Sequence, residues 1–368
     1  MTTAFLLFFG RGGESAVERQ LDDIKIAIGS SVLRRARDAG FAPRIAVTTD
    51  NAASHSFAKA GAEVAPPTTE PFHLGKEVHA LAQSRRLERI CSVGAGAGAL
   101  FTAADLEKLR TELETSEALV LSNNYYSAGL VAFTPASALG VIDLPATDNP
   151  LPRRLHQQGG LSSRQLERSA ATLLDVDTPA DAAVLKRHPA CPDDLRALDT
   201  WDRELGDRID ALMRLVTTPE RELVVAGRVG APVWSYLESQ TACRVRMLAE
   251  ERGMQAAGRD VSHEARTALG FLYQEVGPRA FFERMSELGD GMLFDTRVLF
   301  AHMGWRVAAP DRFASDLFRA TDIAEEPLAA FTAAAATWPH PLLMGGQALV
   351  SGVLWTLVDA AWAGHPEE

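Results

Sequence analysis

The first residues that could do chemistry form a glycine-rich loop near the amino terminus. Gly10, Arg11, Gly12 and Gly13 directly follow an apolar run at residues 5–9. Glycines allow the backbone to approach a ligand closely and to point its amide groups at a phosphate. The same residues could also form only a tight turn between a strand and a helix. Of the two, we favour the phosphate-binding loop.

A second glycine-rich stretch reads Gly-Ala-Gly-Ala-Gly at residues 94–98. It follows another apolar run, at residues 89–93. The residue types fit two interpretations equally: contact of a ligand with Gly96 and Gly98, or close packing of the backbone against a neighbouring element.

An acidic turn, Leu-Asp-Val-Asp-Thr-Pro-Ala-Asp, occupies residues 174–181. An aspartate near a proline at the start of a helix commonly accepts hydrogen bonds from the first amide groups. This capping role is the one that we expect for Asp181.

The second half of the chain carries acids and arginines beside apolar, strand-like residues. Such side chains at loop positions suit the binding of Mg²⁺ and phosphate, whereas ion pairs that cap consecutive helices are the alternative. Because an unpaired buried charge is costly, we expect these residues to meet in one cleft. The candidate second site consists of Asp290, Asp295, Arg297, Asp311, Arg312, Asp316, Gly345 and Gly346.

The amino-terminal half resembles the nucleotidyltransferases of the molybdopterin-guanine dinucleotide synthesis and 2-phospholactate guanylyltransferase type. The resemblance rests on the glycine loop, residues 45–50, residues 92–106 and the acidic turn. The acidic turn is similar to the Asp-x-Asp-Thr-Pro-x-Asp motif of that family and is the most specific match. No resemblance covers the second half.

This resemblance implies a nucleoside triphosphate at the glycine loop, with Arg11 and Arg19 near its phosphates and Mg²⁺ as the cofactor. It implies Asp177 as the catalytic acid that holds the metal, and transfer of a nucleoside monophosphate to a small phosphorylated molecule. Ala97 stands where the family has its Mg²⁺-binding Asp, and a methyl group cannot ligate that ion.

Three hypotheses therefore stand. The chain is a divergent nucleotidyltransferase, a non-catalytic nucleotide-binding or scaffold protein, or an enzyme whose site lies in the carboxyl-terminal half. Ala97 is the residue that separates the first hypothesis from the other two.

The elements that must position these residues follow from hydrophobic periodicity. Strand-length apolar runs alternate with helical patterns, which predicts an α/β fold with a mostly parallel sheet, Rossmann-like by the resemblance. We expect strands at residues 4–9, 44–48, 89–93 and 118–121, and helices at 21–39, 74–83 and 103–114, the last capped by Thr102.

The pattern changes near residue 190, where prolines precede a charged helical stretch. We predict a nucleotidyltransferase-like domain over 1–190, a helical connector over 191–218 and a second α/β or α+β domain over 219–368. The apolar run at 342–362 is broken by glycines and polar residues, which favours a packed helix over a membrane span.

Composition limits the classes of partner. The net charge is −11 and the sequence has no block of Lys or Arg, which argues against a nucleic-acid surface. The hydrophobic fraction of 46% with 23% charged residues is typical of a globular protein. Three widely spaced cysteines indicate neither a disulfide framework nor a zinc site, and a cytoplasmic location is expected.

Overall fold

The structure of the chain, a computed structural model, describes residues 2–364 and divides into two compact units. The first unit is formed by the residues up to Gly12, by Asp22–Asp175 and by Pro192–Leu195. The second unit is formed by Gly13–Leu21, Val176–Cys191 and the residues from Arg196 onward. The boundary expected at residue 190 is a boundary between two independently folding domains, and it stays a prediction.

A seven-stranded mixed sheet is the centre of the first unit, in the order β3-β2-β1-β4-β6-β5-β7. All strands run parallel except β6, which is antiparallel to both of its neighbours. The strands are β1 (Thr3–Phe8), β2 (Arg44–Val47), β3 (Glu63–Ala65), β4 (Arg89–Gly94), β5 (Leu119–Ser122), β6 (Leu130–Thr134) and β7 (Ser162–Gln165).

Helices connect these strands, as the crossover between parallel strands requires. A 3₁₀ helix, Ala136–Gly140, follows β6. The α-helices are α1 (Ala16–Asp38), α2 (Asn51–Lys59), α3 (Leu74–Ser84), α4 (Ala103–Thr115), α5 (Leu151–Gln157) and α6 (Ala170–Leu173).

Burial explains the position of the central strands. Every residue of β1 is buried, as expected for a strand covered on both faces of a parallel sheet. One core cluster lies on the face that α3 covers, where Leu74 and Val78 of α3 join Leu6 and Phe8 of β1. Packing of this kind fixes the end of β1, where the glycine-rich loop begins.

The second unit has a smaller, fully parallel sheet of four strands, in the order β11-β10-β8-β9. Its strands are β8 (Glu222–Gly227), β9 (Arg244–Ala249), β10 (Gly291–Asp295) and β11 (Leu342–Gly345). This arrangement makes the second unit α/β.

Helices around this sheet and in the preceding segment complete the second half of the chain, with a 3₁₀ turn at Ala320–Asp322. Gly277 interrupts α11 with non-helical backbone angles. The helices are α7 (Pro179–Arg187), α8 (Asp193–Arg196), α9 (Asp202–Val216), α10 (Ala231–Gln240), α11 (Ala268–Met285), α12 (Arg297–Met303), α13 (Ala309–Asp316), α14 (Glu326–Ala336) and α15 (Gly352–Ala363).

Most predicted elements are confirmed, including the mostly parallel α/β fold and the Thr102 cap of α4. One correction concerns residues 342–362, which we predicted as a packed helix. The first four residues form the buried strand β11, and α15 begins only at Gly352. Short, fully buried apolar runs fit a strand or a helix equally well, and the partner strand β10 decides the outcome here.

Candidate functional site

The two glycine-rich loops leave the same edge of the seven-stranded sheet. Strands β1 and β4 are parallel neighbours, and Phe8 is paired with Gly94 in register. Pairing continues one residue further, where the amide of Ala95 donates to the carbonyl of Phe8 at 3.0 Å. The chain runs from β1 to β2 and β3 on one side, and β4 lies on the other side, so this edge holds a topological switch point.

The first loop is open to solvent. Gly10, Arg11 and Gly12 are exposed. Within residues 2–364, the amide groups of Gly10 and Arg11 donate no hydrogen bond to another part of the chain. Such amides after the end of a parallel strand are able to bind an oxyanion.

One amide of this loop is already used by an internal anion. The amide of Gly12 donates to both carboxylate oxygens of Asp22 in α1, at 3.1 Å each. Burial raises the pKa of Asp22, against the lowering effects of the Gly12 hydrogen bond and of nearby Lys25. The loop geometry therefore accommodates a carboxylate, which is chemically close to a phosphate oxygen pair.

Arg11 is the cation of the loop, and its side chain is 45% exposed. Its Nε donates to Oδ2 of Asp50 at 2.9 Å. Asp50 follows β2 and caps α2, since its carboxylate accepts the amide of Ala53 at 2.8 Å. Burial opposes ionisation of Asp50, but the hydrogen bonds from Ala53 and Arg11 hold its pKa below the usual range. The exposed guanidinium keeps donors for a further anion.

Gly13 and Arg19 lie in the segment that belongs to the second unit. A side chain at Gly13 would overlap the carboxylate of Glu18, whose Oε2 accepts the amide of Ser15 at 3.1 Å. Arg19 donates to the backbone carbonyl of Glu14. These contacts give Gly13 and Arg19 local roles at the start of α1.

The second glycine loop is packed inside the protein. This favours the packing interpretation of Gly96 and Gly98 over contact with a ligand. Both glycines are buried. Gly98 has a φ of +77°, and a side chain there would meet Phe101 and Val32 at 3.3 and 3.5 Å. The positive φ and the close neighbours require glycine for the turn itself, which is the packing alternative.

Asp175 is the acid that sequence reasoning missed at this edge. Its backbone forms an isolated antiparallel bridge with Ala97, the residue that replaces the expected metal-binding Asp. A Cβ on Gly129 would lie 3.2 Å from Oδ2 of Asp175, so glycine leaves space for this carboxylate. The side-chain oxygen of Asn123 holds the same turn by accepting the amides of Gly129 and Leu130 at 3.1 and 3.2 Å.

Asp177 and Asp181 belong to the second unit. Oδ2 of Asp181 accepts the amides of Asp177 and Thr178 at 3.0 and 2.7 Å, and Thr178 completes a capping box at the start of α7. The predicted capping role of Asp181 is confirmed. Burial, and then the charge of Asp177, raise the pKa of Asp181 to about 7. Asp177 itself is exposed.

The carboxyl edge of the four-stranded sheet contains an arginine–aspartate pair that sequence reasoning did not foresee. Arg228 follows β8 and donates from Nε and Nη2 to the carboxylate of Asp295 at 2.6 and 2.9 Å. The Arg228 side chain is 3% exposed and that of Asp295 is 0% exposed. Gly227 adjoins this pair, and a Cβ there would overlap Asp295.

Further members of the predicted second site lie at this same edge. Arg297 donates from Nη1 to Oδ1 of Asp316 at 2.8 Å, and Asp316 is fully buried. The amide of Thr296 donates to the carbonyl of Gly345 at 3.2 Å, and both Gly345 and Gly346 adjoin the Thr178 side chain. Asp295 and Asp316 are thus each paired with an arginine, which favours ion pairing over ligand binding for these two acids.

Asp290 does not join that group, which corrects the expectation of one cleft. It precedes β10 at the opposite edge, where it accepts from the Glu222 amide at 2.9 Å and pairs with Arg221 at 3.1 Å. Asp311 lies in the first turn of α13, and its side chain makes no hydrogen bond within residues 2–364. Arg312 donates to a backbone carbonyl at 2.7 Å, and burial lowers its pKa.

A divalent metal does not fit the side chains at the first edge. Asp175 adjoins Ala97, while Asp22 and Asp50 are engaged by the Gly12 amide and by Arg11. No group of three or more His, Cys, Asp or Glu residues in the described part of the chain could hold a metal ion. No helix within residues 2–364 is long and apolar enough to cross a membrane.

Comparison with known proteins finds similarity only among solved structures. No protein-family model matches the sequence, and no curated protein matches it. A proposed nucleotide-diphospho-sugar transferase from Desulfovibrio desulfuricans G20 is 17% identical, with 58% of this chain and 98% of that chain covered and a TM-score of 0.41.

Two further structures are similar at the same level. A cytidylyltransferase from Leptospira borgpetersenii is 16% identical, with 51% of this chain and 86% of that chain covered and a TM-score of 0.40. Rv0371c from Mycobacterium tuberculosis H37Rv, solved as a complex with manganese, is 20% identical, with 49% and 94% covered and a TM-score of 0.34. At this distance an activity does not follow from the name of a neighbour, because one fold hosts many activities.

Proposed function

We propose that the first unit binds a nucleoside triphosphate or another small phosphorylated molecule, in the manner of a nucleotidyltransferase-like protein. The ligand phosphates lie against the loop that follows β1. The observation that carries the proposal is the pair of unused amides at Gly10 and Arg11, beside an exposed guanidinium and at the topological switch point of the sheet.

Three physical features support this position for an anion. Amides at the end of a parallel strand point outward and carry partial positive charge. The Arg11 guanidinium adds a full charge and several donors. The single N–H of Gly12 is already shared between the two carboxylate oxygens of Asp22, which supports the binding of an oxyanion by the loop backbone.

Binding is the part of this function that the residues support best, and turnover is expected to be weak or absent. Nucleotidyl transfer depends on neutralising the charge of the transferring phosphate, usually with a metal ion. Asp175 lies at this edge with its backbone bridged to Ala97. A catalytic role for Asp177 stays a proposal, tested by comparing turnover in Asp177→Asn and Asp175→Asn variants.

The test is a thermal-shift series with ATP, GTP, CTP, UTP and inorganic tripolyphosphate, each with and without Mg²⁺. A ligand at about 100 times its Kd adds about 2.7 kcal/mol to the free energy of unfolding. We expect stabilisation by the nucleotides. No shift with any phosphorylated ligand would reject the proposal and favour a scaffold role for the first unit.

A further inference from the structure

An exposed phenylalanine lies beside the proposed phosphate loop. Phe72 follows β3 at the same carboxyl edge, and 48% of the residue is exposed. Its ring meets the ring of Phe8 edge-on, with the two centroids 6.0 Å apart. Phe8 is the last residue of β1 and precedes Gly10 by two positions, a span of at most about 7 Å along the chain.

Hydrogen bonds to a buried carboxylate hold the loop that carries Phe72 in place. The carboxylate of Glu77, in α3, is buried and accepts hydrogen bonds from the amide and hydroxyl of Thr68 at 2.8 and 2.9 Å. It also accepts the hydroxyl of Thr69 at 2.7 Å, and Thr69 Oγ1 accepts the amide of His73 at 3.0 Å. Phe72 is thus exposed on a segment that is fixed on both sides.

Rigidity changes what an exposed aromatic ring can do. A side chain on a preordered loop loses little conformational entropy when a ligand binds to it. Phenylalanine has two rotatable side-chain bonds and offers an apolar face without hydrogen-bonding groups. It therefore suits a flat ring that approaches from solvent and does not select among hydrogen-bonding patterns.

We propose that Phe72 is a stacking platform for the planar base of the ligand whose phosphates lie at Gly10 and Arg11. The inference rests on the proposed function and adds the ligand class, namely nucleotides of any base. Stacking on an aromatic side chain tolerates all bases, because each base has a π face.

A second exposed aromatic residue at this edge fits the role less well. Tyr126 is exposed and lies in the loop after β5. Three strand spacings separate β5 from β1, which is about 14 Å. Phe72 instead touches β1 itself through Phe8.

The experiment compares Phe72→Ala and Phe72→Tyr for binding to ATP, GTP, CTP, UTP and tripolyphosphate by calorimetry on the full chain. We expect Phe72→Ala to weaken all four nucleotides by about tenfold or more, to leave tripolyphosphate unchanged, and Phe72→Tyr to retain affinity. Phe271→Ala is the matched control, because Phe271 is 57% exposed and belongs to the second unit. It should change neither the affinity for nucleotides nor the affinity for tripolyphosphate.

The outcomes separate the two proposals. If the wild-type protein binds neither nucleotides nor tripolyphosphate, the phosphate site fails and the platform fails with it. If the wild type binds both but Phe72→Ala leaves nucleotide affinity unchanged, or weakens tripolyphosphate equally, only the platform is overturned. An unchanged melting temperature in Phe72→Ala shows that its loss of affinity does not come from unfolding.

Discussion

The carboxyl edges of the two sheets carry similar residue types and use them in opposite ways. At the edge of the first unit, Arg11 is exposed and two backbone amides are unused. At the edge of the second unit, Arg228 and Arg297 are each paired with a buried aspartate. The first edge has hydrogen-bond donors for a ligand, whereas the arginine donors named at the second edge are used in ion pairs within the protein.

Charge density in a sequence therefore does not by itself locate a site. Acids and arginines are more concentrated in the second half of the chain, yet burial has to satisfy each charge by a local partner. A glycine loop has little charge, but its backbone donors remain accessible. Four predictions test this contrast between the two edges.

The largest effect is expected at the second edge. Arg228→Met removes the partner of Asp295 and leaves a buried carboxylate unpaired, which should lower the free energy of unfolding by about 3–5 kcal/mol. Arg279→Met is the control, since Arg279 and Glu283 form an exposed pair expected to contribute less than about 0.5 kcal/mol. Urea unfolding measures both. A loss below about 1 kcal/mol for Arg228→Met would contradict a structural role for this pair.

A pH-dependent stability is expected from Asp181. Its folded pKa of about 7 exceeds its usual 3.8, so the folded chain retains a proton that the unfolded chain releases. Stability should therefore fall as pH rises between about 4 and 7, by at most about 4 kcal/mol, and then level off. Asp181→Asn keeps an oxygen for the cap and removes the charge. Urea unfolding from pH 4 to 8 should show the slope in the wild type and its reduction in the variant; equal slopes would contradict the shift.

At the first edge, Arg11→Gln should weaken the binding of nucleoside triphosphates by about tenfold, since a charge-assisted hydrogen bond is lost. Its unfolding midpoint should change little, because the Arg11–Asp50 pair lies at the surface. Calorimetry with ATP measures the loss, and Arg279→Gln serves as the control for removal of a surface charge. Equal affinity in Arg11→Gln and wild type would place the phosphates elsewhere.

The smallest effect concerns the internal carboxylate. Asp22→Asn keeps an oxygen for the Gly12 amide but removes a negative charge beside the proposed phosphates. Affinity for tripolyphosphate without Mg²⁺ should rise about three- to tenfold, as expected when a nearby like charge is removed. Asp23→Asn makes the same change in charge at an exposed position one residue further along α1 and should have less than about a twofold effect. An equal response of the two variants would indicate only a general charge effect.

The sequence predicted the fold where side-chain pattern alone dictates structure. The apolar run at residues 5–9 has no alternative to burial and forms β1. Thr102 and Asp105 contain their own capping box, so the start of α4 is encoded locally. By contrast, β7 is the polar stretch Ser162–Gln165, and only its pairing with β5 makes it a strand.

For the candidate site, the sequence determined which residue types were present, and the tertiary structure decided their use. Glycines in a loop after a buried strand were visible in the sequence. That Arg11 is paired with Asp50 and that Phe72 contacts Phe8 follows from helices and strands distant in the chain. Local pattern fixes backbone conformation, whereas pairing of charges and access to solvent depend on contacts between distant segments, which no local pattern encodes.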